Sequence, residues 1–138
     1  MGLNKALGFI YLVHDLVADK MYIGRKQYRS RGRVTKGAES NWKWYTTSCE
    51  ELEECIRVNG KDEFIFYVLE EYSTKGGLGF AETWSLMNVE VPYYKDYWYN
   101  RLVPKVSWTS SEPISLRHKQ RLALILAGQG LDLPVWLS

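Results

Sequence analysis

At 138 residues and a net charge of +2, the chain suits a single domain with one core, since domains most often fall near this size. The charge total alone does not announce a nucleic-acid binder. No apolar run approaches the ~20 residues of a membrane helix, Met1 to Lys5 carries no apolar signal-peptide core, and Cys49 and Cys55 form no metal-binding or disulfide pattern, so a cytoplasmic, reducing setting is expected.

Leu7 to Tyr28 predicts two short strands around a polar turn, from alternating apolar, β-branched and aromatic residues. Phe9-Ile10-Tyr11 falls on the first strand and Tyr22-Ile23-Gly24 on the second, with His14-Asp15 and Ala18-Asp19 supplying turn polarity. Folding back symmetrically about Leu16 and Val17 sets Tyr11 opposite Tyr22, with both phenols on one face. Gly24, two residues beyond Tyr22, leaves that face bare, which in a strand often marks the approach of a ligand or another backbone. Arg25 and Lys26 follow at once. Phenols, a bare patch and cations together suit a phosphate. The plain alternative is an aromatic cross-strand pair covering a core.

Arg29 to Ser40 is polar, basic and glycine-containing, and reads as a loop. Its Arg29, Arg31, Arg33 and Lys36 are of the type that reaches phosphate oxygens, giving affinity without sequence choice. Met1 to Thr47 carries nine Lys/Arg against three acids, net +6, whereas Ser48 to Asn100 is −7 and the remainder +3. A positive first third creates a local attractive field for phosphates; a solvated mixed surface is the competing reading. Asn41-Trp42-Lys43-Trp44-Tyr45 can stack on nucleobases or anchor the loop to the core.

Ser48 and Glu51 fit a capping box, opening a helix to about Val58 with Leu52, Cys55 and Ile56 on its core face, stopped by Asn59-Gly60. Phe64 to Leu69 is apolar at every position, which predicts a strand covered on both faces and therefore central. Lys75-Gly76-Gly77 reads as a turn before a helix from about Leu78 to Asn88, which carries Glu82. Ser110-Ser111-Glu112-Pro113 opens a further helix to about Ala127, stopped by Gly128. That helix can dock on the core, pair with a second subunit as a dimer, or lay its basic turn on DNA. His14, in the turn, and His118, among basic residues, are expected at the surface. The fold expected is α/β in the α+β sense: a three-stranded antiparallel sheet flanked by helices, with an extra C-terminal helix.

The two hairpin motifs, the basic loop, the helix with its Asn-Gly stop, the apolar strand ending in Glu70-Glu71 and the helix bearing one glutamate resemble the GIY-YIG nuclease family. The likeness is to small phage-type, homing-endonuclease-like members and covers about residues 7 to 103. The second motif stands intact; the first reads Phe9-Ile10-Tyr11, without its glycine. The resemblance implies a nuclease domain over 1–103, with 104–138 packed on the same domain or forming an interface, and a metal-dependent endonuclease acting on DNA. A phage origin would place it in the host cytoplasm. It further implies that Tyr11 and Tyr22 are catalytic, that Glu82 holds one Mg²⁺ (or Mn²⁺), and that Asn100, within Tyr97-Trp98-Tyr99-Asn100, is the family's late asparagine. Arg25 stands directly after the motif glycine. The family's helix arginine has no direct counterpart; Lys43, or one of Arg29, Arg31 and Arg33, takes its place, and Tyr45 the histidine or tyrosine one turn on.

The chemistry follows from elementary considerations. Magnesium keeps waters and takes substrate oxygens, so a single carboxylate suffices as protein ligand. Tyr11 can accept a proton from the attacking water, directly or through Tyr22. A free phenol titrates near pH ~10, and Arg25 or Lys26 nearby would favour the phenolate and offset transition-state charge. Two other classes compete: a nucleic-acid-binding module that kept the fold without turnover, and a structural or partner-binding protein suggested by the aromatic richness and the apolar tail.

Overall fold

Strands β1 (Gly8–Asp15) and β2 (Lys20–Gln27) are joined by a turn that Asp15 organises. The computed structural model describes residues 6–28, 49–91, 93–100 and 112–128. Asp15 Oδ1 accepts from the Val17 and Ala18 N–H groups at 3.0 and 3.1 Å, and its carbonyl accepts from Asp19 N–H at 2.8 Å. Such local bonds are why aspartate closes turns. Asp19 takes a left-handed backbone, φ 57°, which aspartate tolerates better than most residues. The second Asp15 oxygen accepts from the Tyr99 hydroxyl at 2.6 Å, so the turn is pinned from a distant part of the chain.

That turn fixes the register. Val13 faces Tyr22, and Tyr11 faces Gly24. Symmetry about Leu16 and Val17, which would set Tyr11 opposite Tyr22, is therefore wrong by two residues. A two-residue shift keeps every side chain on its face, because strand side chains alternate with period 2. The phenols remain on one face as diagonal neighbours.

The sheet is three-stranded and antiparallel, in the order β2-β1-β3, with β3 spanning Phe64–Tyr72. All eight residues of β1 are buried, so β1 is the central strand, not β3. An unbroken apolar run reports composition rather than position: on β3, Ile65, Phe66 and Val68 stay 39–45% exposed. The pairing skips one residue, Ile10 facing Glu70 while Tyr11 faces Val68. This bulge leaves Leu69 over, and it is buried in the core.

Each sheet face has its own core. On one, Ile10, Leu12, Met21 and Ile23 pack with Leu78, Ala81 and Leu86 of α2 (Lys75–Asn88) and with Leu122 and Leu126 of α3 (Leu116–Gly128). On the other, Phe9, Tyr11 and Val13 meet Leu52 and Ile56 of α1 (Glu50–Asn59) and Tyr99. Each fully buried aliphatic side chain of this kind contributes about 1.5–3 kcal/mol.

Helix α1 starts one residue later than a serine box at Ser48 requires: Cys49 occupies the N-cap and makes no side-chain cap. Glu50, Glu51 and Glu53 place negative charge at its positive end instead, and Gly60, at φ 89°, ends it. Helix α2 begins at Lys75, so Gly76-Gly77 lies inside its first turn rather than before it. Thr74 caps it, its Oγ1 accepting from Gly77 N–H at 2.9 Å. A Cβ at Gly77 would meet Glu112 Cδ at 2.8 Å. Glu112 is there because it accepts from the Ser73 and Thr74 N–H groups at 3.0 and 2.8 Å and from both hydroxyls. Glu112-Pro113 thus precedes α3 instead of opening it, and Ser115 is the cap, its Oγ accepting from His118 N–H at 3.0 Å. No helix among the described residues is long and apolar enough to cross a membrane.

Candidate active site

Tyr11 lies at the centre of the site by virtue of what β2 lacks. A Cβ on Gly24 would sit 2.6 Å from the Tyr11 hydroxyl, 2.7 Å from its Cζ and 2.9 Å from Tyr22 Cε2. The bare strand position is therefore occupied by the protein's own phenol, which lies across β2 where a side chain would otherwise stand. Phe66 stacks on the Tyr11 ring at 4.9 Å and 19°, while Tyr22 and Phe9 flank it at 6.2 and 6.0 Å. This packing leaves the ring 1% exposed. Phe66 was hidden in the sequence within an apolar run. Only the pairing of Val13 with Phe66 brings it beside Tyr11.

Arg25 follows Gly24 and so points to the opposite face, where it pairs with Ile10. There its Nε lies 3.4 Å from Oε1 of Glu82 on α2. The Glu82 side chain is 15% exposed and the Arg25 side chain 43%. Burial holds the Glu82 carboxyl above its ordinary pKa, and Arg25 partly offsets this. Of the two cations that follow Gly24, Lys26 rather than Arg25 therefore lies on the phenol face, opposite Phe9. Burial lowers the Lys26 pKa. Tyr28 closes the row by donating to Glu71, and burial first, then Glu71, pushes its pKa up.

Asn100 stands at the outer edge of β2. Its Oδ1 accepts from Ile23 N–H and its Nδ2 donates to Ile23 C=O, both at 2.9 Å. Just before it, Met21 N–H donates to Tyr97 C=O at 2.8 Å and Tyr99 N–H donates to Met21 C=O at 2.7 Å. Asn100 therefore continues, with a side chain, a ladder that braces the strand between Tyr22 and Gly24.

Neither histidine lies at the surface. His14 is 9% exposed and 2.9 Å from Asp19 Oδ1. His118 is fully buried, with Nδ1 3.0 Å from the Tyr72 hydroxyl and Nε2 2.7 Å from Ser85 Oγ. Both had a periodic signal in the sequence: His14 alternates with Ile10 and Leu12, and His118 precedes Leu122 and Leu126 at helical spacing.

Arg29, Arg31, Arg33, Lys36, Lys43 and Tyr45, together with Trp42, Trp44 and Ser48, lie outside the described residues. Among the described residues there is no cluster of three or more His, Cys, Asp or Glu that could hold a metal. Glu82 can nonetheless serve magnesium as a lone ligand. It is a hard oxygen donor, partly accessible, whose burial makes a cation the favoured means of keeping it ionised.

The family model SegE_GIY-YIG, described as the GIY-YIG domain of segE, matches residues 2–103. No curated protein and no solved structure matches the chain.

Proposed function

The chain belongs to the segE-type GIY-YIG endonuclease domain family, and on that footing we propose that it hydrolyses DNA phosphodiester bonds with one divalent metal, Mg²⁺ or Mn²⁺, held by Glu82. The observation that carries the reading is the arrangement at β2: the Tyr11 phenol lies in the gap left by Gly24, one residue from the Arg25–Glu82 pair. A phenol on one face and a guanidinium–carboxylate pair on the other thereby meet β2 at two consecutive positions.

Bound at Glu82, the metal supplies Lewis-acid stabilisation of phosphoryl charge. Tyr11 takes the proton of the attacking water at its hydroxyl oxygen, directly or through Tyr22. Lys26, on the same face, favours the phenolate. Arg25 leaves its loose contact with Glu82 for a phosphate oxygen, offsetting charge in the transition state. Phe66 and Gly24 hold the phenol in place, and Asn100 holds the strand that carries Tyr22 and Gly24. The basic residues Arg29, Arg31, Arg33 and Lys36 fit phosphate contacts, and Lys43 and Tyr45 fit the roles of the family's helix arginine and its partner.

Tyr11→Phe tests the reading. The substitution keeps the ring and its stacking, so the fold should melt unchanged while plasmid cleavage falls about 10²-fold or more, the scale of general base catalysis. Full cleavage by this variant would overturn the assignment of Tyr11. The Arg25–Glu82 contact favours one second reading, a binding module whose carboxylate is occupied by its own arginine. Salt-sensitive DNA binding without metal-dependent cleavage would identify that case.

A further inference from the structure

Three tyrosines that the mechanism does not use stand together beyond the β2 edge. Tyr93 is 77% exposed, Tyr94 38% and Tyr97 39%. The Tyr93 and Tyr94 rings meet edge to face at 4.8 Å, and those of Tyr94 and Tyr97 lie 6.1 Å apart. With Lys95 and Asp96 they line an open recess of ≈ 450 Å³. Exposing so much contiguous aromatic surface is unfavourable in water, and such patches mark binding sites.

Their position relates them to the phenol site. Tyr97 to Asn100 runs along β2, tied to Met21 by two backbone bonds and a parallel bridge at Trp98. Trp98 belongs to the α2-side core, while Tyr99 belongs to the core of Tyr11. Tyr97 itself closes a turn, its N–H donating to Tyr94 C=O at 3.0 Å while its carbonyl takes the Met21 N–H. Lys20 lies over the Tyr99 ring at 4.6 Å, next along the same edge. The tyrosines thus stand beside the edge strand that carries Tyr22 and Gly24.

The chemistry of the lining selects the ligand. One lysine against one aspartate leaves the recess without net charge, which does not suit a phosphate. Exposed phenol rings suit the π-face of a nucleobase, whose stacking on aromatics is tolerant of sequence. We infer that Tyr93, Tyr94 and Tyr97 form a stacking platform for an unpaired base of the DNA strand next to the cleavage site. This rests on the nuclease reading of the neighbouring site. The platform binds single-stranded or locally opened DNA and adds no phosphate contact.

The test is a fluorescence-anisotropy titration of the full chain, in EDTA, with a labelled mixed-sequence single-stranded oligonucleotide and with the matching duplex. Tyr93→Ala/Tyr94→Ala should weaken single-strand binding about tenfold or more, the scale of losing one base–aromatic stack. Tyr93→Phe/Tyr94→Phe should bind like wild type, because stacking needs the ring and not the hydroxyl. The salt slope should be the same for all three, since no phosphate contact changes. Tyr93→Ala alone, at the most exposed position, gives a second variant that folding cannot compromise. Single-strand affinity unchanged in the alanine variants would overturn the platform and assign the tyrosines to another class of partner. Plasmid cleavage by a wild-type protein with no single-strand affinity would overturn the platform while sparing the nuclease. Loss of both would remove the reading on which it rests.

Discussion

Arg25 and Glu82 meet on the face of the sheet opposite the phenols, guanidinium Nε to carboxylate Oε1 at 3.4 Å. The distance exceeds a good hydrogen bond, so the contact is mainly one of charge. Burial raises the Glu82 pKa and Arg25 lowers it. The pair therefore sets the pH at which the carboxylate becomes ionised, the form that the proposed metal role requires.

Arg25→Gln removes the lowering influence and leaves the raising one. The acid limb of the pH–rate profile should then move to higher pH, alongside a loss of maximal rate from the missing phosphate contact. A profile measured from pH 4 to 9 on both proteins checks this. An acid limb that stays in place would separate Glu82 ionisation from catalysis.

Gly24→Ala probes the space that admits Tyr11. The added Cβ would fall under 3.0 Å from atoms of both phenols, and the Tyr11 ring is hemmed in by Phe66 on its stacked side. Overpacking of this kind costs about 1–3 kcal/mol. Cleavage should fall further than stability alone accounts for, about 10-fold or more, because small misplacement of a reacting group is costly. Melting curves and initial rates on the same preparation distinguish the two effects.

His118 couples acid to the docking of α3. Burial pushes its pKa down to about 4, with Glu70 pulling weakly the other way. Ser85 donates its hydroxyl to the Ala81 carbonyl, so the neutral imidazole donates from Nε2 to Ser85 and accepts at Nδ1 from Tyr72. With the folded pKa below the unfolded value near ~6.5, the unfolded chain binds more protons between those values. Stability is thus greatest above pH ~6.5 and falls as pH drops toward 4, by about 3 kcal/mol from this group. Urea titrations at pH 4 and pH 7 should show this loss in wild type and a smaller one in His118→Gln.

Much of this fold was legible because the residues that build it are periodic. Alternation around the hairpin placed both phenols on one face, even with the register two residues out. The register itself depends on Asp15, whose second oxygen is held by Tyr99 through a contact no local pattern reveals. Apolar continuity misplaced β3 at the centre, because Phe66 and Val68 read alike whether covered or half exposed. His118 was misread through its charged neighbours Arg117 and Lys119, although its spacing to Leu122 and Leu126 pointed inward. Glu82 could be singled out only by resemblance. Its pairing with Arg25 joins a strand and a helix that are distant in sequence. The glycines at Gly76-Gly77 suggested a turn, whereas Gly77 leaves room inside α2 for the capping carboxylate of Glu112.

On the proposed reading, this domain cleaves DNA through a metal at Glu82. Conversion of supercoiled plasmid in Mg²⁺, with EDTA as control, measured for wild type and Glu82→Ala at matched purity, tests it most directly. Nicked or linear product is expected from wild type with Mg²⁺, none with EDTA, and none from the variant under either condition. Equal cleavage by both proteins would contradict it and place the chemistry elsewhere.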